Sequence, residues 1–124
     1  VNLKSILFSL AFLGLSAPAA FAHHSYSAFD MSKLVAIAGT VSEVQFKNPH
    51  VWLFVDVPVG DKTETWAIEA GGPNILMRQG WMANTLKPGD KVDLQLAPMK
   101  DETKTGGALQ ALRLPNGKTI GAWK

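Results

Sequence analysis

Three histidines are the side chains best suited to chemistry in this 124-residue sequence. His23 and His24 are adjacent, and His50 stands apart in Lys47-Asn48-Pro49-His50. A neutral imidazole binds transition metals through either ring nitrogen. If a processed chain begins at His23, that residue offers its α-amine and its ring nitrogen to one ion. A further imidazole from His24 or His50 completes a set suited to Cu(II) or Ni(II) in tetragonal geometry. The amine, with a reference pKa of about 7.7 to 8.0, loses its proton on coordination. Met31, Met82 and Met99 are soft donors of the kind Cu(I) takes, although nothing in their spacing groups them. The plainer alternative is that His23-His24 forms a solvated terminus and His50 belongs to a turn.

Aromatic side chains raise a second possibility. Val51, Leu53, Val55 and Val57 alternate with Trp52, Phe54 and Asp56, so Trp52 and Phe54 occupy the strand face opposite the apolar series. Such a pair can stack a base or a sugar ring. It can equally be covered by the preceding segment through Tyr26 and Phe29. Other chemistry is poorly represented: Glu64 and Glu69 flank Trp66 on opposite parities, and Asp101-Glu102 sits among lysines in a solvated run. Gly71-Gly72-Pro73 is read as a sharp strand-to-helix turn rather than an anion cradle. With no cysteine there is no disulfide, thiolate site or cysteine nucleophile. Twelve basic against ten acidic residues give a formal charge of +2, which is no electrostatic footprint for nucleic acid.

Residues 1–22 have the anatomy of a signal peptide: Lys4, an apolar run from Ile6 to Leu15, then small residues with Ala20-Phe21-Ala22 before the expected cut. The apolar run is too short for a bilayer core of about 30 Å, so no membrane span is expected after cleavage. Val1 is what a GTG start codon would give, which points to a bacterial gene and a periplasmic destination. Residues 23–32 read as an N-terminal arm, and 33–124 as one domain.

Within that domain Lys33–Phe46 reads as a long strand whose apolar parity changes, with Val35, Ile37 and Val41 on one face and Val44 and Phe46 on the other. A bulge or bend near Gly39 is expected. Strands follow at Val51–Val59 and Thr63–Glu69, joined by Gly60-Asp61-Lys62. Pro73 opens and Gly80 stops a short helix over Asn74–Gln79. Leu86-Lys87-Pro88-Gly89-Asp90 turns into a strand carrying Val92, Leu94 and Leu96, and another strand covers Ala108–Leu114 before a short one at Ile120. Trp66 is expected in the core, and Trp81 as a plug at one end. Three strands, a helix and two strands with a tail match an OB-fold-like Greek-key barrel of five to six strands. A split β-sandwich is the alternative.

His23-His24-Ser25-Tyr26, Asn48-Pro49-His50-Val51-Trp52, Gly71-Gly72-Pro73-Asn74 with Gly80-Trp81, and Leu86-Lys87-Pro88-Gly89-Asp90 together resemble a family of small exported proteobacterial proteins of uncharacterised function. The resemblance implies an exported β-barrel with the histidine pair at the mature terminus, and it implies no activity. Two functions follow from the residues: a periplasmic module binding copper or another transition metal through His23, His24 and His50, or a metal-free module binding a protein or glycan at Trp52 and Phe54. A histidine-brace oxygenase is a third reading, for which no extended substrate platform is visible.

Overall fold

The structure, a computed structural model, describes residues 26–124. The expected signal peptide, His23 and His24 lie outside the described residues. Among the described residues, six strands and one helix follow in order: β1 (Val35–Gln45), β2 (Trp52–Val59), β3 (Lys62–Glu69), α1 (Pro73–Arg78), β4 (Lys91–Pro98), β5 (Gly106–Arg113) and β6 (Thr119–Gly121).

β1 is the hinge of the fold. Its first half pairs with β4, from Val35 opposite Leu96 to Thr40 opposite Lys91, and its second half runs along β2. The register slips between Val41 and Glu43, so the parity change comes at Ser42 rather than near Gly39. An extra residue there turns Val44 and Phe46 back toward the side already occupied by Val35, Ile37 and Val41, and all five meet one core. Gly39 has a different task. A Cβ at that position would stand 2.5 Å from the Asp56 carbonyl oxygen, so the absence of a side chain lets β1 curl tightly against β2.

Strand order in the sheet is β3-β2-β1-β4-β5-β6, and a parallel pairing of Ala67–Glu69 with Gly106–Ala108 joins β3 to β5. The five long strands therefore close into a barrel, with β6 added outside the ring and α1 between β3 and β4. This is the OB-like arrangement expected from the element order, and the open sandwich is not formed. Closure removes most of the unpaired sheet edge.

Alternation decides which side chains fill the interior. Val51, Leu53, Val55, Leu94, Leu96, Leu112 and Ile68 are completely buried. Trp66 stands opposite Val55 and packs against this core while remaining half-buried itself. α1 starts at Pro73, whose missing N–H falls where a helix has no internal acceptor partner. It stops where Gly80 takes φ +89°. The Trp81 amide then donates to the Leu76 carbonyl at 2.9 Å, and Leu76 and the wholly buried Trp81 both join the core. Among the described residues, no acceptor meets the buried indole Nε1 of Trp66 or of Trp81.

The N-terminal arm is pinned outside the barrel. Asp30 N–H donates to the Pro98 carbonyl at 2.8 Å, Lys100 N–H donates to Ala28 at 2.9 Å, and Phe29 bridges to Met99. Phe29 is buried with Ala97 and Ala108 in a small apolar cluster of its own. Behind it, Asp30 closes a turn by accepting from the Ser32 hydroxyl at 2.6 Å and amide at 3.1 Å. The hydroxyl contact, then the amide, hold its carboxyl below the ordinary aspartate value.

Candidate functional site

His50 precedes β2, after a cis Asn48-Pro49 bond. The hairpin of β2 and β3 brings Glu69 to it. In this hairpin Val59 faces Lys62 and Trp52 faces Glu69, so facing residues have numbers that sum to 121, and the two ends meet at Trp52 and Glu69. Pairing continues past the strands, with Val51 N–H donating to Gly71 at 3.0 Å and Ala70 N–H to Val51 at 2.8 Å. The outcome is that His50 Nδ1 lies 2.7 Å from Glu69 Oε1. The His50 side chain is 32% exposed and that of Glu69 only 12%, so the carboxylate is the inner partner and the imidazole the outer one.

A carboxylate on Nδ1 selects the tautomer that carries its hydrogen there and its lone pair on Nε2. This is the outer-shell arrangement that orients metal-binding histidines and raises their basicity. Glu69 was not singled out by residue type or parity. Counting back from the Gly60-Asp61 turn is the signal that places it opposite Trp52, two positions along the chain from His50.

Trp52 lies on the outward face, opposite Glu69, and both line a cleft of about 520 Å³ with Ala28, Phe29, Met99 and Lys104. The arm therefore forms one wall of the cleft beside Trp52. Phe54 is half-buried opposite Ala67 and is not among the residues lining this cleft. Tyr26 remains 53% exposed and lines a separate depression with Gly71 and Ile75. The two aromatics proposed as a cover thus take different places, one buried beside the cleft and one at the surface.

The methionines do not gather. Met31 and Met82 are 49% and 47% exposed, while Met99 packs against the Phe29 cluster. Among the described residues, no group of three or more histidine and carboxylate side chains is arranged to hold a metal, and no helix is long and apolar enough to cross a membrane. Gly71-Gly72-Pro73 forms the turn into α1, with Gly72 extended at φ −67° and ψ 153°.

The profile of a family of unknown function, DUF6152, matches residues 11–108. The chain belongs to that family. No curated protein matches it. Among solved structures, the chain resembles mitochondrial single-stranded DNA binding protein Rim1 from S. cerevisiae at 12% identity and a TM-score of 0.51, over 74% of this chain and 98% of that one. At such identity the likeness speaks for the fold alone. A ZRD-deleted mutant of TiaS in complex with agmatine is similar at 20% identity and a TM-score of 0.47, over 66% of this chain. The chain spans only 21% of TiaS.

Proposed function

We propose that this family member is an exported periplasmic module that binds a transition metal, with Cu(II) the best fit, through His23, His24 and His50. The observation that carries the reading is the Glu69 carboxylate 2.7 Å from His50 Nδ1, which sets the imidazole to present Nε2 as a ligand. A second observation supports it. The described chain begins at Tyr26, which lines a depression with Gly71, and Gly71 is bonded to the residue next to His50. Three residues span at most about 10 Å when extended, so a shared ion requires the His50 ring to lie within that reach of Tyr26. Cleavage after Ala22 frees the His23 amine to chelate together with its own ring. The aromatic cleft at Trp52 favours the alternative, a metal-free module for a protein or glycan.

Calorimetric Cu(II) titration at pH 7 of three forms separates these readings: the processed protein, one with a single extra residue before His23, and His50→Ala. The proposal expects the extended form to bind far more weakly, because one residue breaks the chelate, and His50→Ala to lose further affinity. Equal weak binding by all three is adventitious histidine binding and overturns the reading.

A further inference from the structure

We propose that the cleft between the N-terminal arm and the outer face of β2 and β3 is a binding site for a neutral saccharide, stacked on Trp52. The inference does not depend on metal. Its volume of about 520 Å³ falls within the range of about 300–1,000 Å³ common to small-molecule sites. Trp52, Phe29, Ala67 and Met99 give it an apolar lining. Phe29 is fixed by its own burial and by the backbone bonds of Ala28 and Asp30 on either side, so this wall is already ordered and does not have to be built by the ligand.

Four polar residues, Glu69, Thr103, Lys104 and Thr105, complete the lining, and their hydrogen-bonding capacity is mixed. Glu69 is an acceptor and Lys104 a donor. The hydroxyls of Thr103 and Thr105 already donate, to Asp101 at 2.6 Å and to the Thr65 carbonyl at 3.0 Å, which leaves their lone pairs to accept. A ligand for such a site has an apolar face and a perimeter of groups that both donate and accept. A pyranose fits: its C–H face lies on the indole, and each hydroxyl serves in either direction.

Charge decides against a nucleic acid strand, which would stack on the same indole. Lys104 lies 3.7 Å from Asp101, and Glu102 reaches Lys33 at 3.9 Å in the same loop region. With Glu69 in the lining, there is no surplus of positive charge to replace the counterions of a phosphate backbone.

The test is saturation-transfer NMR on metal-free protein in chelator, with chitotriose, cellotriose and maltotriose as probes and an oligothymidylate as competitor. Transfer to the ring C–H protons of at least one trisaccharide is expected, lost by tenfold or more in affinity in Trp52→Ala and by several-fold in Lys104→Ala. Lys104 is exposed at the surface, so its variant keeps the fold if Trp52→Ala does not. Phe54→Leu leaves binding unchanged. No transfer to any of the three sugars, transfer insensitive to both Trp52→Ala and Lys104→Ala, or preferential binding of the oligothymidylate overturns the proposal. Because metal is absent throughout, these outcomes are independent of the copper titration.

Discussion

Glu69 holds one nitrogen of His50, so the pair has to be perturbed together to learn what the imidazole does. Glu69→Gln keeps an oxygen that can accept the Nδ1 hydrogen but removes the charge; Glu69→Ala removes both. If His50 is a ligand, Glu69→Ala lowers Cu(II) affinity by about 10- to 100-fold, in line with other outer-shell carboxylates, and Glu69→Gln lowers it less. Titration of both variants checks this order. Unchanged affinity in Glu69→Ala would mean that the carboxylate orients a histidine with no metal to bind. Affinity also declines as the pH is lowered, since protons compete for the ligand nitrogens.

At the scale of elements, the barrel depends on close approach where strands curl and on dense filling between them. Leu94 is completely buried between β1 and β5, so Leu94→Ala is expected to cost about 2 to 5 kcal/mol in urea melts. A loss below about 0.5 kcal/mol would contradict its burial. Gly107 makes the complementary case. A Cβ there would run into the Ala97 carbonyl and the Leu96 side chain, where β4 and β5 pair. Gly107→Ala is therefore expected to destabilise by about 1 to 3 kcal/mol through overpacking, measured in the same way. The arm has its own anchor, because Phe29 is buried outside the main core. Phe29→Ala is expected to free the arm and to expose the amide of Asp30 to hydrogen exchange while the barrel amides stay protected. Simultaneous loss of protection across the barrel would show that the arm and the barrel unfold as one unit.

The whole molecule joins a closed barrel to an arm whose turn is governed by Asp30. Its carboxyl sits below the ordinary aspartate value, chiefly through the Ser32 hydroxyl. A lowered folded-state value means that the turn's contribution is fully present above the ordinary aspartate range and fades only as the pH falls through the lowered one. The arm is thus expected to stay closed in mild acid, whereas on the proposed metal reading protons displace the ion first. Following the Ser32 amide and the bound-metal signal through one acid titration checks the order, and an arm that opens before metal release contradicts it. Export has an equally direct check. Mass spectrometry of periplasmic protein is expected to find a chain beginning at His23, and retention of Phe21 or Ala22 removes the free-amine chelate.

Alternation and turn chemistry were enough to place the strands, because a period of two on a half-buried surface leaves only one face for Leu53, Val55, Leu94 and Leu96. Pro73 and Gly80 likewise bounded α1 by backbone stereochemistry, with no help from distant residues. The bulge was anticipated, but its place at Ser42 was not: parity locates a switch only to within the interval between apolar residues. Gly39, near which the switch was expected, instead makes the close approach of β1 to β2. The candidate site was legible in part. His50 and Trp52 stand out by type and position, while the pairing of His50 with Glu69 depends on hairpin register across nineteen positions. The cleft wall formed by Phe29 is a tertiary decision. A short arm of small and polar residues carries no pattern that names its partner, and only the finished barrel offers Ala97 and Ala108 as a surface on which Phe29 can be buried.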